Sequence, residues 1–215
     1  MKIHFEIALA KLNQLLEDNA ARTEAAVNSA VKAMETGAVE LAQSVIDGDQ
    51  AIDLAENHIE EECLEILALY QPVATDLRRV MTVFKTNGEI ERAGDLAVNI
   101  ANRVADAAAY NIDNGWNFAK ISSKATKMFS MALLSLRKGD AALAKTIIDS
   151  DEEVDFLHKS SYLKVSDGII SNPPAAGYYL DALTVSRALE RLADIATNIA
   201  EDVIYLETAE IVRHR

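Results

Sequence analysis

The chain has one cysteine, three prolines and eight glycines in 215 residues. A lone cysteine, Cys63, cannot close an internal disulfide, so no covalent framework holds the fold and a reducing cytoplasm suits it. Helix breakers are confined to a few places, with prolines only at Pro72, Pro173 and Pro174. No run approaches 18 apolar residues, so nothing reads as a membrane span. The opening Met1-Lys2-Ile3-His4-Phe5-Glu6 lacks the apolar stretch of a secretory signal. Basic residues are also scarce: 21 Lys and Arg stand against 34 Asp and Glu, a formal charge of −13. Such a surface repels nucleic acid and anionic lipid, and repels free phosphate unless a bound cation stands between them. There is no serine–histidine–acid set, Gly-rich phosphate loop or cysteine pair from which to build a catalytic centre.

What is abundant is helix-forming. Half of the residues are apolar, enough for a sizeable core, and Ala, Leu and Glu dominate the long stretches between breakers. Apolar residues recur at three- and four-residue steps over six segments, which predicts an all-helical chain. The first runs from about Phe5 to Met34 and stops at Gly37, a residue free to take positive φ. The second covers about Val39 to Leu69. Pro72 suits the first turn of the third, which continues to about Tyr110. Asn111-Ile112-Asp113-Asn114-Gly115 reads as a linker. The fourth covers Trp116 to Leu136, with Trp116 a packing residue beside the linker. Gly139-Asp140 reads as a stop and an N-cap. The fifth extends to about Ile170, and Asn172-Pro173-Pro174 breaks the chain before the sixth, which reaches about Glu207.

The two halves repeat. Ala42 to Asp53 aligns with Ala144 to Asp155 at a constant offset of 102, and Glu91 to Ala101 aligns with Glu190 to Ala200 at an offset of 99. The difference falls at a turn, where length changes are cheap. An internal duplication follows, predicting two tandem three-helix bundles at residues 1–112 and 116–210. Its period is too long for an ordinary solenoid array.

Each half carries two acidic pairs: Asp49 with Asp53 and Glu91 with Asp95, then Asp151 with Asp155 and Glu190 with Asp194. Four residues along a helix place both members on one face, one turn apart. Asn99 and Asn198 extend the second motif by another turn. Chance alone gives about five acidic i,i+4 pairs in a chain this acidic, so any single pair reads as a solvated face. Recurrence at aligned positions changes that weighting, because like charges at this spacing cost about 0.2–0.5 kcal/mol per pair and a cation would relieve them. If the second and third helices of each bundle are neighbours, carboxylates and an amide oxygen converge as hard-oxygen ligands suited to Mg²⁺, Mn²⁺, Ca²⁺ or iron. Arg92 and Arg191 are placed to pair with Asp95 and Asp194. His158 is a further ligand candidate through Asp155-x-x-His158, although Glu56 occupies its counterpart.

The repeated Glu-Arg-x-x-Asp-x-x-x-Asn-Ile-Ala element at 91–101 and 190–200 resembles the PhoU family of phosphate-signalling regulators. Gln71-Pro72-Val73-Ala74-Thr75-Asp76-Leu77-Arg78-Arg79 is similar to that family's usual opening of its third helix, a run that Asn172-Pro173-Pro174-Ala175 replaces in the second half. The resemblance covers essentially the whole chain. It implies two three-helix bundles whose acidic motifs hold multinuclear iron or zinc clusters. It also implies a cytoplasmic, non-enzymatic negative regulator of phosphate-starvation signalling, coupling the ATPase subunit of a phosphate ABC transporter to a sensor histidine kinase. A homodimer suits bundles with spare apolar surface.

Three other readings compete. An all-helical Mg²⁺-dependent nucleotide pyrophosphohydrolase uses acidic pairs on paired helices, but with one residue fewer between the acids. A ferritin-like di-iron protein wants Glu-x-x-His motifs, which are absent here. A structural scaffold would use the acids only for solubility.

Overall fold

The stretches between breakers fold as helices, seen in a computed structural model that describes residues 2–109 and 117–212. The first bundle comprises α1 (Lys2–Thr36), α2 (Val39–Tyr70) and α3 (Ala74–Ala109). The second comprises α4 (Ala119–Lys138), α5 (Ala141–Ile148), α6 (Asp151–Ser171) and α7 (Ala176–Thr208), with a 3-10 turn at Pro173–Ala175 before α7. The linker at 111–115 and Trp116 lie outside the described residues. The all-helical, twice-repeated architecture is as read from the sequence.

Several ends form for the reasons expected. Gly37 has φ +67° and closes α1. Gly139 has φ +62° and closes α4, while Asp140 accepts a hydrogen bond from the Leu143 amide at 2.9 Å as N-cap of α5. Two ends differ. Pro72 does not open α3: α2 closes on Gln71 in a left-handed conformation (φ 47°), and α3 begins at Ala74, so the proline lies in the turn between them. The fifth rod is interrupted at Asp149–Ser150 and forms two helices. There Ser150 Oγ donates back to the Thr146 carbonyl at 2.6 Å and the Ser150 amide to the Ile147 carbonyl at 3.0 Å, local bonds that compete with continuation. Asp151, Glu152 and Glu153 then fill the first turn of α6, where acids are favoured by the helix dipole. The first-half counterpart of Ser150 is Gly48, inside an unbroken α2.

Cross-helix bonds fix the registers. α1 and α2 run antiparallel, with Lys11 on Glu62 at 2.6 Å and Arg22 donating to the Ala51 carbonyl at 3.3 Å. α2 and α3 are held by Asn87 donating to the Glu56 carbonyl at 2.9 Å and by Cys63 Sγ facing the Val80 carbonyl at 3.9 Å. α3 and α7 join the bundles, also antiparallel, through Lys85–Asp202 at 2.6 Å and Arg103–Asp181 at 3.3 Å. The core is one cluster across both halves, including Leu12, Ile59 and Ile100 in the first and Phe129, Ile147 and Leu192 in the second.

Asp140→Ala should lower stability by about 1 kcal/mol in chemical denaturation, the usual cost of a lost N-cap, and Asp140→Ser should recover most of it.

Candidate cation sites on facing helices

In the first bundle, α2 and α3 lie close where their acids meet. A Cβ built on Gly94 would stand 3.2 Å from Ile52 Cδ1 and 3.7 Å from Asp49 Oδ1. Asp49 therefore points across at α3, at the level of the Glu91–Asp95 turn. Its Oδ1 is buried without a hydrogen-bond partner, an arrangement that costs free energy unless something supplies positive charge or a proton. Burial, then Asp53 and Asp95, raise the Asp49 pKa above its ordinary value. Burial raises Glu91 as well, followed by Asp95, Glu56, Asp53 and Asp49. The four expected carboxylates thus share one electrostatic neighbourhood.

The second bundle repeats this with changes. Burial raises Glu190, followed by Asp194 and Asp155, with Asp151 adding a smaller push. Arg187 acts the other way on Glu190, and its first-half counterpart is Gly88. Asp151 is buried and sits in the first turn of α6, whereas Asp49 is inside α2.

Not every expected residue joins these groups. Asn99 and Asn198 are exposed. The amide of Asn198 donates to Glu89 Oε2 on α3 at 3.3 Å, across the junction between bundles. Arg92 turns back to Glu89 at 3.1 Å rather than forward to Asp95, a correction to the expected pairing; Glu89 also accepts from Asn198 across the α3–α7 seam. Arg191 is exposed. His158 is a buried packing residue: its Nδ1 lies 3.0 Å from Ser186 Oγ, which is 3.0 Å from Ser161 Oγ, and its ring meets Tyr162 edge-on at 5.4 Å. Burial, with Arg187 next, lowers its pKa. This contact replaces the Asn87–Glu56 bond of the first half, since His158 aligns with Glu56 and Ser186 with Asn87.

Glu56 joins the first group, where its charge acts on Glu91. Burial raises it, then Glu60 and Asp53. The signal was present as a continuation of the acidic stripe, Asp49, Asp53, Glu56, Glu60, at helical steps.

Among the described residues, no three His, Cys, Asp or Glu side chains are drawn together tightly enough to hold one ion as placed. The acids are neighbours, not a closed ligand shell. Their chemistry still suits a hard cation: oxygen donors only, one of them orphaned, on helices kept close by a residue without a side chain. A cavity of about 480 Å³ lies elsewhere, between α1, α3, α4 and α7, with Leu16, Val83, Leu133 and Arg79 in its wall.

Comparison with known proteins extends this picture. The PhoU domain family matches residues 16–104 and again residues 118–203. The chain is 36% identical over 191 residues to the phosphate-specific transport system accessory protein PhoU homolog of Aquifex aeolicus, covering 88% of this chain and 86% of that one. It is similar to the crystal structure of PhoU from Pseudomonas aeruginosa, with a TM-score of 0.92 and 32% identity over 96% of this chain and 100% of that one. It is also similar to the phosphate transport system regulatory protein PhoU from Streptococcus pneumoniae, with a TM-score of 0.86 and 26% identity over 97% and 99% of the two chains. These relatives are named for accessory and regulatory roles, in keeping with a non-enzymatic chain.

The raised acids set a pH dependence. The folded chain holds protons on Glu91 and Glu190 at pH values where the unfolded chain, with an ordinary value of 4.5, has released them. The cost of ionising them, from burial first and neighbouring carboxylates second, is therefore absent below about pH 4.5 and grows as pH rises through the higher folded values. In chelator-treated protein at pH 7.5, Glu91→Gln should raise Tm by about 1–2 °C, as relief of one or two like-charge pairs implies. At pH 4 the advantage should vanish. Thermal scans at both pH values check it.

Proposed function

The chain belongs to the PhoU family, and from that premise we propose that it is a metal-binding adaptor that regulates phosphate uptake and negatively regulates phosphate-starvation signalling. It is an accessory protein of the kind its relatives' names describe, attached to a phosphate transport system. Its partners would be the ATPase subunit of a phosphate ABC transporter and a phosphate-sensing histidine kinase, met in the cytoplasm. Among the described residues no helix is long and apolar enough to cross a membrane, so any membrane association would pass through those partners.

The observation that carries the reading is the doubled set of facing acids, with Asp49 Oδ1 buried and unpartnered between α2 and α3. The first site would draw on Asp49, Asp53, Glu91 and Asp95, with Asn99 one turn further along α3. The second would draw on Asp151, Asp155, Glu190 and Asp194, with Asn198 beyond them. Carboxylate oxygens fit iron, Mn²⁺ or Mg²⁺ by hardness, and zinc by carboxylate ligation. A bound cluster would supply local positive charge on a chain of net charge −13, and so a place for an acidic partner or phosphate to engage. The chain's own part is to hold the acids on rigid helices at fixed register.

Elemental analysis of untagged protein should find metal, and adding Fe²⁺, Zn²⁺ or Mn²⁺ to chelator-treated protein at about 100 times its Kd should stabilise it by about 2.7 kcal/mol per site. Replacing Asp49, Asp53 and Glu91 by their amides should remove the first site's metal, leave the second's, and weaken capture of the transporter ATPase. Metal-free protein with no thermal response to any of these ions would overturn the reading.

A further inference from the structure

The cavity of about 480 Å³ between the bundles has no part in the candidate cation sites. It draws on α1, α3, α4 and α7, and on nothing from α2 or α6. Junctions between packed units, at this size, are where small molecules bind most often. Its floor is apolar and buried, with Leu16, Val83 and Leu133 at 5%, 5% and 8% exposure. Polar bonds that tie the bundles, Lys85–Asp202 at 2.6 Å and Ser122–Glu35 at 2.8 Å, lie to one side of it.

The duplication supplies an internal control. Exchanging the halves, by the offsets of 102 and 99, carries Leu16 to Phe118, Ala20 to Ser122, Arg79 to Tyr178 and Thr82 to Asp181. At that equivalent end Phe118 and Tyr178 are buried rings. Ser122 donates to Glu35 there, and Asp181 pairs with Arg103 at 3.3 Å. One junction is thus occupied by rings and stitched by polar bonds, while its repeat is left open. The charges differ as well. Glu17 and Glu24 have Ala119 and Thr126 as counterparts, and Arg137 has Glu35.

The open junction is polarised. α1 brings Glu17 and Glu24 to its wall. α4 brings Arg137 and Lys138 in its last turn, where the helix dipole favours cations. Among the described residues none of these four is ion-paired, and Arg79 in the same wall has only Asp76, at 3.8 Å on its own helix. Glu207 lies against the end of α4, 2.8 Å from where a Cβ on Gly139 would stand. The wall therefore offers carboxylates, cations and an aliphatic floor, with no aromatic ring on which a base or sugar could stack.

We propose that this cavity binds a small zwitterion with an aliphatic body, of the class of a leucine-like amino acid or a short aliphatic peptide. The ligand's ammonium group meets the acids of α1. Its carboxylate takes Arg137 and Arg79, whose planar forks suit a carboxylate, and its side chain lies on Leu16, Val83 and Leu133. A ligand of one sign would leave half of the wall unanswered and set the other half against a like charge. Since α1 and α3 belong to one bundle and α4 and α7 to the other, the ligand bridges the two and stabilises their junction.

Isothermal titration calorimetry of the full chain with leucine and with leucyl-leucine should show saturable binding, and the tighter of the two identifies whether a free amino acid or a peptide fits. Isocaproate and isopentylamine keep the aliphatic body with one charge each, and should bind about tenfold more weakly or worse. Arg137→Gln and Glu17→Gln, both at exposed positions, should each weaken binding about tenfold with circular dichroism unchanged. Leu16→Phe installs the ring of the second half and should abolish binding. Ala21→Trp, made from an exposed position in the wall, should do the same without touching the core. Absence of saturable binding by either zwitterion would overturn the proposal. So would equal affinity for the singly charged analogues, or binding that survives Arg137→Gln and Ala21→Trp.

Discussion

Repulsion between carboxylates that apolar packing holds on facing helices is the interaction on which the functional account depends. The helices are held together because Ile52 fits against Gly94, Asn87 donates to the α2 backbone and the Cys63 thiol to the α3 backbone, both on one side of the acids. Core burial is worth far more than the few tenths of a kcal/mol that each like-charge pair costs. The fold therefore keeps Asp49, Asp53, Glu91 and Asp95 in one neighbourhood, and burial with the surrounding charge raises the pKa values of Asp49 and Glu91. A charge pattern that packing could disperse would be only a wet surface. Here it is held under tension that a cation would relieve.

The two halves reach this arrangement by different means. In the first, a continuous α2 carries Asp49 in its interior, no arginine stands at position 88, and Glu56 adds a further negative charge. In the second, the break at Asp149–Ser150 puts Asp151 at the start of a helix, where the dipole favours it. Arg187 eases Glu190, and His158 replaces the glutamate. The first group therefore lacks the nearby arginine that eases Glu190 in the second. Duplication preserved the motif while its surroundings diverged.

Much of this was legible beforehand. Glycine at positive φ ended α1 and α4 where the apolar period lapsed, and Asp140 capped α5, because these effects depend on a few adjacent residues. The repeated acidic spacing put both members of each pair on one helix face, since four residues are about one turn. What was hidden depends on competition or on neighbours far away in sequence. The break after Ile148 hangs on a serine hydroxyl bonding back to Thr146, a contest that apolar periodicity does not register. Arg92 pairs with Glu89 three residues back rather than with Asp95 three residues on, a choice that spacing alone does not make. His158 had a ligand's spacing but a core residue's surroundings, with Ser186 and Ser161 supplied from across the bundle and from its own next turn.

The most direct test of the central claim is anomalous diffraction from crystals of untagged protein grown with Mn²⁺ or iron, collected on either side of the metal's absorption edge. The account predicts peaks between α2 and α3 within ligand distance of Asp49, Asp53, Glu91 or Asp95, with a second set between α6 and α7. Crystals that show anomalous signal only at scattered surface acids, or none at all, would contradict it.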